Sequence, residues 1–278
     1  MDSLAALFPE EDFRHHLTLR RGDAKEFFRS KDVTGSELAE RSRWIAADPG
    51  RYVDCLPEGD ELVAEFSQLC ADWRLTDCES PESGVVALSA QARLRKLGTA
   101  MEADILFLSS DPEGSFRLRG GVLCFPTGWA LTEKLGQTLD FIHGVVPGLN
   151  SAIGPAINQF LSKLRPGAAV LRNNWGIVAS SERNQHPVRG IPPPALPLAL
   201  DRLWLRVENQ ALVALPRSRG VVFGIRIEHY RLDEILPAQT VRTGLLRSLS
   251  TMPQAMAVYK RIDDVRDALL REIRLIPQ

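Results

Sequence analysis

Between positions 60 and 73, apolar residues fall at 62, 63, 66, 69, 70 and 73, the spacing of a helix that buries one side, with Asp60 placed to cap it. Upstream, the first 50 residues read as a charged, partly helical arm that ends at Pro49, where proline stops a helix. Residues 77–84 read as a loop and 89–101 as a further helix. The period then shortens. Residues 104–109 and 121–125 predict strands around a turn at Asp111-Pro112-Glu113-Gly114. A helical block follows over 131–142 and 152–164, interrupted at Val146-Pro147-Gly148. Three more strands are predicted at 170–178, 203–215 and 221–230, the last two facing each other across Arg217-Ser218-Arg219-Gly220. The stretch 180–197, with Pro192-Pro193-Pro194, is a long loop of the kind that forms lids or partner surfaces. At the C-terminal end Pro253 stands in a helix first turn, and Val258, Ile262, Val265, Leu269 and Ile273 make one apolar stripe. A stripe of that kind faces a core, or packs a homodimer.

Two strands, a set of helices and three strands in antiparallel succession make an α+β chain, and the order is that of a PAS-type sheet. Such a five-stranded antiparallel sheet curves around a ligand, with helices on one side forming the opposite wall. The expected organisation is an N-terminal helical extension over 1–100, a core over 101–236 and C-terminal helices over 237–278, packed as one unit.

Composition removes several function classes. With 44% hydrophobic and 25% charged residues the chain has enough apolar material for a large core. A formal net charge of -1 gives no reason to expect nucleic acid or an anionic membrane as partner. No apolar run approaches the roughly 20 residues that cross a bilayer. The first residues, MDSLAALFPEEDF, carry acids where a secretory signal needs a basic patch, so the cytoplasm is expected. Cys55, Cys70, Cys78 and Cys124 form no C-x-x-C pair, which leaves reduced, buried thiols and no zinc, thioredoxin or iron–sulfur signature. Nucleotide-binding glycine motifs and a G-x-S-x-G elbow are also missing.

Five histidines remain as metal-binding candidates. His15 and His16 stand in the charged arm, His186 precedes a proline in the long loop, and His229 lies near a strand end; exposed or surface roles are expected for all four. His143 ends an amphipathic helix built on Leu131, Leu135, Leu139 and Ile142. It is compatible with capping that helix and with pointing into the space between helix and sheet. Zinc and non-haem iron need more ligands than a lone histidine supplies, whereas haem needs one proximal nitrogen. In the strand over 203–215, alternation puts Trp204, Arg206, Glu208 and Gln210 on one face, which is either a solvated face or the lining of a polar pocket.

An ordered set of short motifs resembles the α-subunit family of haem-dependent oxidative N-demethylases. It comprises Phe125-Pro126-Thr127-Gly128-Trp129, Glu133-Lys134-Leu135-Gly136, Ile142-His143-Gly144-Val145-Val146-Pro147 and Arg172-Asn173-Asn174-Trp175. Leu205-Arg206-Val207-Glu208-Asn209-Gln210, Leu215-Pro216, Phe223-Gly224-Ile225-Arg226 and Tyr259-Lys260 complete it. Val145 stands where the family has proline, and Asn209 and Ala211 replace an arginine and a threonine. These departures bear on the substrate more than on the haem.

The resemblance implies a PAS-like haem b protein that oxidises a small secondary amine with dioxygen. It implies His143 as the proximal iron ligand, with Phe125 and Trp175 packing on the haem and Arg172 or Lys134 paired with a propionate. Arg226 is expected to hydrogen-bond dioxygen and Glu208 to hold the protonated amine, these two being the catalytic pair. With no flavin, nicotinamide or iron–sulfur signature of its own, such an enzyme takes electrons from a separate flavin or iron–sulfur reductase. A haem-based gas sensor and a cofactor-less interaction protein are the rival readings.

Overall fold

The computed structural model describes residues 2–15, 18–76, 88–167 and 169–276. The loop expected over 77–84, with Cys78, and His16 lie outside the described residues. The N-terminal part holds α1 (Asp2–Ala5), β1 (Arg20–Gly22), α2 (Ala24–Phe28), α3 (Ser36–Ala47), α4 (Pro49–Tyr52) and β2 (Val53–Cys55). Then come α5 (Asp60–Asp72), α6 (Ala90–Ala100), β3 (Asp104–Ser110) and β4 (Phe116–Val122). The helical block is α7 (Leu131–Lys134), α8 (Leu139–His143) and α9 (Leu149–Ser162). The chain continues through β5 (Ala169–Val178), β6 (Trp204–Ala214), β7 (Val221–Arg231), α10 (Leu232–Ile235), α11 (Gln239–Thr251), α12 (Gln254–Tyr259) and α13 (Arg266–Arg274).

The α+β class expected from the sequence is observed, but the antiparallel sheet has seven strands, in the order β1-β5-β6-β7-β3-β4-β2, where five were expected. The two extra strands come from the N-terminal extension over 1–100. Each is three residues long, too short to print a period of two, and each forms because a longer strand offers it an edge: β1 pairs with Ala169–Leu171 and β2 with Gly120–Val122.

Local chemistry explains the shifted boundaries. The strand expected over 121–125 is β4, which starts at Phe116: Phe116 and Leu118 are buried, while Arg117 and Arg119, alternating with them, are held by Asp111 at 2.7 Å and Ser109 Oγ at 3.0 Å. Cys124 and Phe125 leave the ladder because their amides donate to the buried Asp104 carboxylate at 2.6 and 2.9 Å. The single helix expected over 131–142 splits into α7 and α8. Gly136 adopts φ +78° and donates to Leu118 O, and Leu118 donates back to Gln137 O, so the linker hydrogen-bonds to the β4 edge. Asp60 is the first helical residue of α5 and Gly59 its cap, because a 3-10 turn over Pro57–Gly59 leads straight into it. The C-terminal stripe is likewise broken. Arg261, at φ +57°, ends α12; Ile262, Val265, Leu269 and Ile273 are buried, but Val258 is exposed.

Helices cover both faces of the sheet. A Cβ on Gly224 would strike Phe27 and Phe28 of α2, and Phe28 meets Phe66 of α5, which meets Phe107 of β3 in turn. On that same face, Ile177, Leu205 and Val207 pack with α10 to α13. On the opposite face Ile225 and Ile227 of β7 share a buried apolar cluster with Leu139 of α8 and Ile157 and Leu161 of α9, the helices that roof it. Among the described residues no helix is long and apolar enough to cross a membrane.

Candidate functional site

Antiparallel pairing sets the composition of the roofed face. Arg172 of β5 stands opposite Gln210 of β6, Asn174 opposite Glu208, and Gly176 opposite Arg206. On the other side of β6, Gln210 faces Ile225, Glu208 faces Ile227 and Arg206 faces His229. Directly paired side chains share a face. The face under α8 and α9 therefore carries a polar band down β5 and β6, bordered by the buried apolar wall of Ile225 and Ile227 on β7.

Glu208 is the centre of that band. Its carboxylate accepts from Thr127 Oγ1 at 2.6 Å, Gln210 Nε2 at 2.8 Å and Asn174 Nδ2 at 3.3 Å. All three donors are neutral, so among the described residues no cation is hydrogen-bonded to it. Gln210 is buried, and its Oε1 has no hydrogen-bond partner among the described residues. A buried acceptor without a donor is costly, and one beside a carboxylate held by neutral donors can take an N–H group from a bound water or ligand.

Arg206 holds this arrangement from one end. Only 1% exposed, it donates to Phe125 O at 2.8 Å, Arg183 O at 2.9 Å, Thr127 Oγ1 at 3.0 Å and His229 Nε2 at 3.1 Å. Burial lowers its pKa to about 10, which leaves it charged at neutral pH. A guanidinium only donates, so His229 Nε2 accepts and its proton sits on Nδ1. Burial, and then the Arg206 and Arg183 charges, push His229 down to about 3. The surface role expected for His229 is replaced by a neutral one inside the fold.

His143 ends α8 and is half-buried, and no hydrogen bond engages its ring among the described residues. Burial is the main cause that lowers its pKa to about 4; Arg172 and Lys134 add to it, and Asp140 opposes them. The imidazole is thus neutral, with a free lone pair, as an iron ligand requires. Arg172 reaches it from the sheet, and Arg172 itself makes no hydrogen bond and no ion pair among the described residues. Burial pulls the Arg172 pKa down while the nearby Glu208 charge props it up.

Of the residues expected in one site, His143 lies within reach of the Arg172 and Lys134 charges, and Arg172 within reach of the Glu208 charge. Three others do not join them. Arg226 pairs with Asn209, not with Glu208 or Gln210, and so projects from the opposite face. There it forms an ion pair with Glu102 and donates to Phe27 O at 3.0 Å and Arg29 O at 3.2 Å. It is not placed beside Glu208, and the catalytic pairing of the two is corrected. Trp175 pairs with Val207 and also faces away, its ring against Phe8 and the Lys260 ammonium. Phe125 is fully buried with its ring against the Arg41 guanidinium; its carbonyl, not its ring, serves the site through Arg206. His186, expected to be exposed, is buried against Tyr52, and His15 bonds Pro147 O at 2.7 Å.

Thr127, Asn174 and His229 were missed by sequence reasoning. Asn174 and His229 were findable from strand parity once the register was known. Thr127 sits in the loop after β4, where no periodicity marks it. Among the described residues no group of three or more His, Cys, Asp or Glu side chains is arranged to hold a metal ion. Residues 72–270 match the family model described as haem-dependent oxidative N-demethylase, alpha subunit-like.

Proposed function

The chain belongs to the haem-dependent oxidative N-demethylase, alpha subunit-like family, and from that premise we propose that it is a haem monooxygenase acting on an N-methylated amine at the polar sheet face beside α8. The observation that carries the reading is the neutral His143 facing a sheet surface where, among the described residues, neither its ring nor Gln210 Oε1 nor the Arg172 guanidinium has a hydrogen-bond partner. Those residues fit haem b: one imidazole nitrogen for the iron, apolar side chains at 225, 227, 157 and 161 for the macrocycle, and Lys134 on the helical wall for a propionate. The first two central strands, the helical block, and the last three strands with β7 beside β3 support a PAS-like arrangement.

Bound haem would supply oxygen activation: dioxygen, two electrons and two protons convert the N-methyl group to formaldehyde, with the demethylated amine and water as the other products. The chain's own residues would bind and orient. Glu208, held by neutral donors only, would take the protonated amine as a charge-assisted hydrogen-bond partner. Thr127 and Asn174 would keep that carboxylate aimed, and Arg206 would keep Thr127 in place. Electrons would come from a separate flavin or iron–sulfur reductase, and an alpha-subunit-like family description fits a protein with such a partner. Buried free thiols at Cys55, Cys70 and Cys124 fit a reducing, cytoplasmic setting.

The test is the visible spectrum of protein expressed with haem precursor, oxidised, reduced and with carbon monoxide, beside His143→Ala. A Soret band with histidine-type ferrous–CO features, lost in the variant, is expected, and NADPH alone should not reduce the protein. A wild type that stays colourless after haem reconstitution would end this reading.

A further inference from the structure

We propose that the amine bound at Glu208 carries a carboxylate of its own, an N-methylated amino acid, with its ammonium on Glu208 and Gln210 Oε1 and its carboxylate on Arg172. This rests on the function proposed above and narrows its substrate class.

The argument starts from the sheet register. Arg172 stands directly opposite Gln210, and Glu208 is two residues from Gln210 on the same strand and face. Arg172 and Glu208 are therefore diagonal cross-strand neighbours, with Cα atoms roughly 7–8 Å apart. Opposite charges at that spacing ordinarily join, and these do not. Glu208 takes its hydrogen bonds from Thr127, Gln210 and Asn174, and Arg172 takes none among the described residues.

Each pole lacks a different kind of partner. Next to Glu208, the buried Gln210 Oε1 is an acceptor with no donor. An ammonium with two N–H groups satisfies both at once. Arg172 offers a planar fork of donors, which matches a carboxylate in bidentate geometry. A simple dialkylamine would satisfy the first pole and leave the guanidinium without a hydrogen-bonded anion. A zwitterion satisfies both, and the short distance between ammonium and carboxylate in an α-amino acid suits a diagonal step across two strands. Lys134, on the helical wall rather than the sheet, remains free for the propionate role.

The experiment is calorimetric titration of the haem-loaded protein with three probes: N-methylglycine, dimethylamine and acetate. N-methylglycine is expected to bind at least tenfold more tightly than dimethylamine, and acetate weakly. In Arg172→Gln the preference should collapse, with N-methylglycine falling to the dimethylamine value and dimethylamine unchanged; Arg172→Lys should keep part of it. Haem content, read from the Soret band, should match wild type in both variants. Equal binding of N-methylglycine and dimethylamine by the wild type, or binding of neither, would overturn the assignment even with haem in place. So would loss of haem from Arg172→Gln, which would make Arg172 a cofactor residue. Failure of the wild type to take up haem is a different result, and overturns the function proposed above together with this one.

Discussion

Replacing Arg206 with methionine removes the guanidinium that ties two loops to β6. Three of its hydrogen bonds are 3.0 Å or shorter, to Phe125 O, Arg183 O and Thr127 Oγ1. Bonds of this charge-assisted kind contribute about 1.5–3 kcal/mol each. Against them stands the cost of keeping a 1% exposed cation out of water, several kcal/mol, which the variant no longer bears. The carbonyls of Phe125 and Arg183 are left without their donor, at about 1–3 kcal/mol apiece. The balance is a loss of about 3 kcal/mol, read as a lower urea midpoint at unchanged m-value. A second readout is independent of stability. His229 is held near 3 by burial and then by Arg206, so in Arg206→Met its titration, followed by NMR, should move up toward the ordinary histidine range. A stability loss under about 1 kcal/mol, together with an unmoved His229, would refute the role given to this residue.

Acid should weaken the folded state through the same histidine. His229 is about 3 folded and 6.5 ordinarily, so below pH 6.5 the unfolded chain takes up a proton that the folded one refuses. Stability is full above that range and is lost as pH falls; by pH 5 the loss is about 2 kcal/mol from this group, measurable by urea melts at pH 7.5 and 5 and absent in His229→Gln. Arg226→Met should cost about 2–3 kcal/mol, since it leaves the buried Glu102 without its ion pair, yet leave dimethylamine affinity unchanged; a lost amine site with intact stability would put Arg226 back beside Glu208. Asp104→Asn should lower stability by about 3–5 kcal/mol, because Arg41 and two amides converge on that carboxylate at 2.6–2.9 Å and the amide group turns an acceptor into a donor. Thermal denaturation of the variant decides it.

The long strands were legible because β5 to β7 carry β-branched and aromatic residues over ten or eleven positions between glycine, proline or charged turns. The shared polar face of Arg206, Glu208 and Gln210 followed from their spacing of two along β6. Which residues of β7 join it did not. In the hairpin Ala214 pairs with Val221, so Glu208 meets Ile227 and Asn209 meets Arg226; moving the turn by one residue would swap those two faces. That parity is set by the turn, where Leu215 donates to Gly220 O and the buried Glu65 accepts from the amides of Arg217 and Ser218 at 2.7 and 2.9 Å. Glu65 lies 152 residues from Arg217, a contact that no local pattern announces. Trp175 differs for a simpler reason: it is odd in a strand whose Arg172 and Asn174 are even, so alternation alone puts it on the other face. His143 was legible from its place at the end of an amphipathic segment, although its neutrality depends on burial and on cations from two other elements.

The short strands at the two rims of the sheet matter for how the chain is handled. Arg20–Gly22 and Val53–Cys55 both precede residue 72, where the match to the family begins. A fragment trimmed to the matched residues would keep every side chain of the polar band and lose both terminal strands. Hydrogen-bonding groups of Ala169–Leu171 on one flank and Gly120–Val122 on the other would then face water, ready to pair with another molecule. Such a fragment is expected to self-associate through those edges. The arm ahead of the shared region thus guards the sheet against self-association.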